Sequence, residues 1–230
     1  MSQPGLHTDV QRAFNVMLPG GCVTAVLPIR SSIDANVPDE LQLPAARPKR
    51  QREFAAGRLA ARDALLELGE DGVFPGVGQG RAPKWPPGIV GSIAHDDELA
   101  VAVVARDSVV TAVGIDVERS PSLSESESKT VVTDREADWW SRETGLPRDQ
   151  WLPRVFSFKE SLFKCLYPLV EQYFDFLDVE VFAGEGDSLI ASCVDDTHIA
   201  ARYLGSLRGG ATNLGPRTLA GCWLTDALPS

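Results

Sequence analysis

Cysteine, histidine and methionine are scarce in this 230-residue chain, at four, three and two copies. The cysteines (Cys22, Cys165, Cys193, Cys222) stand far apart, with no CxxC pair and no histidine at zinc-ligand spacing. Neither a disulfide framework nor a structural zinc is therefore indicated, and a reducing cytoplasm fits best. No stretch approaches the roughly 18 consecutive apolar residues that a membrane helix needs, and no basic segment followed by an apolar run opens the chain. The expectation is an unexported protein with no membrane partner. A positive charge balance is also missing: 22 Lys+Arg against 32 Asp+Glu give a formal charge of −10. That disfavours nucleic acid as a partner, because such binding relies on a basic footprint to displace counterions from phosphates. What remains, 43% hydrophobic and 23% charged residues, is an ordinary globular composition, long enough for one large domain or two modest ones.

The positive charge that is present is concentrated. Arg47, Lys49, Arg50, Arg52, Arg58 and Arg62 lie within sixteen positions, against Glu53 and Asp63. Such a run is either a solvated helix face or a docking place for an anion. Residues 51–68 carry Phe54, Ala61, Leu65 and Leu68 at helical spacing and end before Gly69, which predicts a helix with Arg58 and Arg62 on one side. Pro and Gly crowd 73–88, an expected loop. Alternating runs at 89–94 and 99–105 predict a hairpin with His95 at its turn, and 109–118 predicts a third strand. The Ser/Glu-rich stretch 120–130 reads as a linker or mobile loop. Thr133-Asp134-Arg135-Glu136 is a capping-box pattern that starts a helix over about 134–143. A further helix is expected over about 157–167, stopped by Pro168, followed by strands at 177–182, 189–194, 198–204 and 219–225. The fold class is α+β, with antiparallel sheet in both halves, 1–118 and 119–230.

Three constellations carry chemistry. In Gly114-Ile115-Asp116-Val117-Glu118, a strand places Asp116 and Glu118 on one face. Paired carboxylates repel unless a cation sits between them, and such oxygen ligands suit Mg²⁺; the alternative is a strand end reaching solvent. In Phe156-Ser157-Phe158-Lys159-Glu160-Ser161-Leu162-Phe163-Lys164, a helix puts Ser157, Glu160, Ser161 and Lys164 along one edge. Ser157 and Glu160 also make a capping box, and Glu160 and Lys164 an ordinary i,i+4 ion pair, but neither explains Lys159. In Lys84-Trp85-Pro86-Pro87-Gly88 and Gly91-Ser92-Ile93-Ala94-His95, a lysine on a stiff loop and a histidine at a turn could hold phosphate, with Trp85 as an apolar wall.

Together and in this order, the segments GRLAARDAL (57–65), RAPKWPPGIVGSIAH (81–95), GIDVE (114–118) and FSFKESLFK (156–164) resemble the motif set of the 4′-phosphopantetheinyl transferases of the larger, single-chain type. The resemblance covers about positions 50–167. It implies two pseudo-symmetric halves, each with antiparallel sheet packed on helix, in a monomer. The implied activity is Mg²⁺-dependent (with Mn²⁺ as a substitute) transfer of phosphopantetheine from coenzyme A to a serine of an acyl or peptidyl carrier protein. Asp116, Glu118 and Glu160 are implied as metal ligands, and Glu160 also as the base for the carrier serine. Lys159 and Lys164 match basic residues near the diphosphate. Arg50, Arg58, Lys84, Ser92 and His95 match positions that contact the nucleotide and its phosphates. Phe156 stands where many relatives have Trp, and Ala94 where many have Ser or Thr. The rival readings are a metal-dependent phosphohydrolase and a non-catalytic coenzyme A-binding module.

Overall fold

A computed structural model describes residues 5–30, 38, 46–78, 82–119, 123–195 and 200–225. It divides into two compact units, Met1–Val109 and Val110–Ser230. The division comes before the expected one at 118, so the strand holding Asp116 and Glu118 belongs to the second unit.

In the first unit α1 (Leu6–Met17) leads to β1 (Val23–Pro28) and the long α2 (Pro48–Glu67). The short strands β2 (Gly76–Val77) and β3 (Pro83–Lys84) pair within the expected loop, and β4 (Ile89–His95) and β5 (Leu99–Arg106) form the expected hairpin. The sheet order is β1-β5-β4, antiparallel throughout. The central strand β5 is buried from Leu99 to Ala105, so its run is apolar throughout and does not alternate as expected. α2 lies close to the sheet because its inner face is built of small residues: Ala60 and Ala61 cluster with Ala102, and a Cβ on Gly57 would stand 2.8 Å from Ile93 Cγ2. His95 is the last residue of β4, not the turn. The turn is made by Asp96, whose Oδ1 accepts from the backbone N–H groups of Glu98 and Leu99, both at 2.7 Å.

The second unit opens with β6 (Ala112–Arg119), then α3 (Glu125–Ser128), α4 (Asp134–Trp139) and α5 (Arg148–Val170). A hairpin of β7 (Val179–Ala183) and β8 (Leu189–Cys193), the single turn α6 (Ala201–Leu204), β9 (Arg208–Leu214) and β10 (Arg217–Leu224) complete it. Its main sheet has the order β6-β10-β9, again antiparallel. The two units thus share a connectivity: strand, long helix, then two strands, of which the last pairs centrally with the first.

Several expectations need correction here. Part of the expected linker is ordered, since Ser124 and Glu127 form a capping box that starts α3; positions 120–122 lie outside the described residues. The helix expected over 157–167 begins nine residues earlier, at Arg148 in α5, and Pro168 falls inside its last turn. There a missing N–H removes one terminal bond only, and the chain leaves the helix at Glu171, in the left-handed conformation at φ 49°. After α4 the helix widens into a π turn at Trp140–Thr144 and ends at Gly145, φ 65°. The strand expected over 198–204 is helical at 201–204, and 198–199 lie outside the described residues.

Candidate active site in the second unit

Gly114 brings the site together. A Cβ at this position would stand 1.9 Å from Ser161 O and 2.6 Å from Cys165 N, so only glycine lets β6 lie directly against α5. Two residues along the strand, Asp116 faces the helix and is 3% exposed. Its Oδ1 accepts from Lys164 Nζ at 2.7 Å and its Oδ2 from the buried Ser157 hydroxyl at 2.7 Å. Ser157 therefore does not cap a helix: it lies inside α5 and orients a carboxylate.

Glu160 and Glu118, both half-buried, complete the acidic group. Burial pushes the Glu160 carboxyl up; Lys164 pulls it down and Asp116 adds to the rise. Burial also disfavours the charged form of Lys164, but the attraction of Asp116, Glu160 and Glu118 outweighs it and raises the ammonium above its ordinary value. Lys164 is thus the internal counter-cation of three carboxylates, of which only Glu160 shares its helix edge. Among the described residues no three His, Cys, Asp or Glu side chains are grouped closely enough to hold a metal ion. The donors are nonetheless hard carboxylate oxygens, and three of them against one ammonium leave a surplus of negative charge. That chemistry fits Mg²⁺.

Beside Glu160 lies a pocket of about 160 Å³, lined chiefly by Leu162, Phe163, Tyr173, Phe174 and Phe176. Lys159 also lines it, but its ammonium is turned into the fold and bonded to Glu136, to Val131 O and to Phe176 O. The basic residue expected at the diphosphate is thus engaged elsewhere.

The expected nucleotide-contacting residues all fall in the first unit. Arg50 Nη1 lies 2.8 Å from His95 Nε2 and 3.4 Å from Glu53 Oε2, joining α2 to the end of β4. Since a guanidinium only donates, this contact requires His95 Nε2 to be the acceptor. Arg58 is 3% exposed, donates to Pro75 O at 3.0 Å and stacks over the Phe54 ring. Burial depresses its guanidinium to about 10, and no carboxylate offsets this among the described residues. Ser92 is buried on β4, while Lys84 is exposed on β3. Gly91 admits the Trp85 ring: a Cβ there would stand 2.7 Å from Trp85 Cζ2.

Residues 39–105 match the 4′-phosphopantetheinyl transferase N-terminal domain, and residues 112–212 match the 4′-phosphopantetheinyl transferase superfamily. The chain belongs to the 4′-phosphopantetheinyl transferase superfamily. This transferase is 33% identical over 181 residues to 4′-phosphopantetheinyl transferase Npt of Nocardia iowensis, covering 76% of the chain and 80% of that relative. It is 35% identical over 156 residues to enterobactin synthase component D of Escherichia coli K12, covering 67% and 72%. With 4′-phosphopantetheinyl transferase Svp of Streptomyces mobaraensis it shares 38% identity over 138 residues, covering 58% and 55%. The two family matches fall on either side of the division between the transferase's two units.

Sequence reasoning missed Glu136 and the orienting role of Ser157. The signal for Ser157 was a polar residue at the helical position facing Asp116, but the capping-box pattern Ser157-x-x-Glu160 offered a local explanation and hid it. Glu136 was hidden in the same way by the capping box at Thr133.

Proposed function

We propose that this transferase moves 4′-phosphopantetheine from coenzyme A to a serine of an acyl or peptidyl carrier protein and releases 3′,5′-ADP. The observation that carries the proposal is the Asp116–Ser157–Lys164 constellation with Glu160 and Glu118 beside it, on the motifs that a matched family model covers. The serine oxygen forms a bond to the phosphorus that bears pantetheine, and the bond from that phosphorus to the oxygen of the leaving 3′,5′-ADP breaks. Little covalent work falls to the protein, so alignment and charge neutralisation make up most of its task. Asp116, Glu118 and Glu160 would hold Mg²⁺, which supplies Lewis-acid stabilisation of the phosphates when bound. Glu160 takes the serine proton, directly or through one water; Mg²⁺ bound to the same carboxylate would weaken it as a base, which favours the water relay. Lys164 offers positive charge to the leaving phosphate while it steadies Asp116.

The apolar pocket beside Glu160 suits the pantetheine arm, which is largely alkyl and amide and carries no charge beyond its phosphate. Arg50, Arg58, Lys84, Ser92 and His95 are proposed to take the nucleotide and its phosphates. Arg58 supports this because a buried guanidinium with no carboxylate partner among the described residues gains most from an arriving anion. The likeness to enterobactin synthase component D favours carriers of siderophore or related natural-product assembly.

Release of 3′,5′-ADP tests the proposal. It should require carrier and Mg²⁺ together, and Asp116→Ala and Glu160→Ala should each lower it by about a hundredfold or more while the protein stays folded. Release that proceeds without carrier would instead mark a phosphohydrolase.

A further inference from the structure

Glu136 is the third helical residue of α4 and its carboxylate closes the capping box, yet the side chain is fully buried. An ordinary cap is exposed. Here Oε1 accepts from the backbone N–H of Val181 at 2.7 Å, and Oε2 accepts from Thr133 N at 3.3 Å and from Lys159 Nζ at 2.7 Å. One carboxylate therefore ties α4, α5 and β7 together.

Lys159 is equally committed. Its ammonium has three protons, and the fold supplies three acceptors: Glu136 Oε2, Val131 O at 2.8 Å and Phe176 O at 2.9 Å. Around the pair, the buried Glu180 accepts from Thr133 Oγ1 at 2.6 Å and from Arg135 Nη1 at 2.7 Å, so the same helix start is held from two sides. For Lys159 to reach a phosphate, these bonds would have to break and leave Glu136 buried without its cation, which is a strongly unfavourable state.

The neighbour of Lys159 in sequence is Glu160. Successive residues on an α-helix are turned by about 100°, so pinning Lys159 toward α4 and β7 fixes the direction in which Glu160 projects. Phe176, whose carbonyl receives Lys159, is also a wall of the pocket beside Glu160.

We infer that the buried Glu136–Lys159 pair is a positioning device: it sets the rotation of α5 and thereby aims Glu160, and Lys159 itself does not touch the substrate. The inference rests on the reading of Glu160 as the base.

Four proteins test it: wild type, Glu136→Gln, Lys159→Met and the double variant Glu136→Gln/Lys159→Met. Transfer to a carrier protein gives kcat and the KM for coenzyme A, and thermal unfolding gives the folded fraction to which kcat is referred. Lys159→Met should lower kcat by more than about tenfold per folded molecule, with KM for coenzyme A within about twofold. Glu136→Gln, which retains the acceptor for Val181 and removes the charge, should act in the same direction. The double variant, in which no buried charge is left unpaired, should regain at least about tenfold over Lys159→Met, because residues in one pair couple non-additively. If Lys159→Met does not fold, the double variant decides alone: kcat about two- to tenfold below wild type with KM for coenzyme A unchanged agrees with a positioning role, and full wild-type kcat overturns it. A double variant about a hundredfold or more impaired, with KM for coenzyme A raised, would show that Lys159 contacts the substrate. Wild-type kcat per folded molecule in every variant would reduce the pair to a fold-stabilising role. Glu160→Gln, measured alongside, separates the two readings, since its retention of full activity would overturn the base assignment and leave the coupling of Glu136 and Lys159 to be judged by itself.

Discussion

A serine inside a helix usually bonds back to the carbonyl a turn earlier or faces water, but the Ser157 hydroxyl reaches across to Asp116. It and Lys164 occupy both oxygens of a carboxylate proposed to bind metal, and groups that orient a ligand in this way are typically worth about ten- to a hundredfold in metal affinity or activity. Ser157→Ala should accordingly raise the Mg²⁺ concentration for half-maximal transfer by about tenfold without changing the fold, and an unaltered Mg²⁺ dependence would mean that Asp116 does not need this donor. His95 carries a second prediction at the same scale. Its contact with Arg50 joins two groups able to hold a phosphate dianion, and a hydrogen bond to a charged group contributes roughly 1.5–3 kcal/mol. His95→Ala should therefore lower kcat/KM for coenzyme A by about ten- to a hundredfold and scarcely alter it for dephospho-coenzyme A, which lacks the 3′-phosphate. Equal losses for both substrates would assign His95 to shaping the end of β4.

Among the elements, β6 and α5 set the geometry, and the contact between them depends on the absence of a side chain at Gly114. Gly114→Ala places a methyl where backbone atoms stand, so strand and helix must separate; overpacking of this kind costs about 3 kcal/mol and would displace Asp116 from Ser157 and Lys164. Urea unfolding should show that loss, and transfer should fall with it. Gly205→Ala is the control, because nothing lies within 4 Å of its Cβ and its φ of −62° suits any residue. A change of similar size at both positions would count against close β6–α5 packing as the cause. Elements whose signal is local were legible in advance: α2, the β4–β5 hairpin, and the strand and helix edges that carry Asp116, Glu118, Glu160 and Lys164. Others were not. β9 reads RGGATNL, with two glycines and little apolar periodicity, and is a strand only because β10 pairs along its length. Pro153 lies in the second turn of α5, where its missing N–H forfeits one helical bond, and so interrupts the helical pattern in the sequence although the helix continues through it. The bond between Lys159 and Glu136 was not legible, because the two residues lie 23 positions apart, beyond any helical spacing.

At the scale of the whole molecule, the same strand–helix–strand–strand connectivity occurs in each unit, and the units carry different chemistry. The first holds an exposed basic helix start at Lys49 and Arg50, with the buried cation Arg58 a few turns on; the second holds the acidic group around Lys164. A net charge of −10 therefore conceals a local division of positive and negative groups, proposed above to take phosphate and metal respectively. Carrier proteins of acidic character would have to be recognised through local patches and not through net charge. The proposed transfer is covalent, and the intact mass of the acceptor reads it directly. An apo carrier protein incubated with this transferase, coenzyme A and Mg²⁺ should gain about 340 Da, the mass of the phosphopantetheine group, and the gain should vanish when the carrier's serine is replaced by alanine. A carrier whose mass stays unchanged across acyl and peptidyl carrier types, with the transferase folded and coenzyme A in excess, would rule out this transfer.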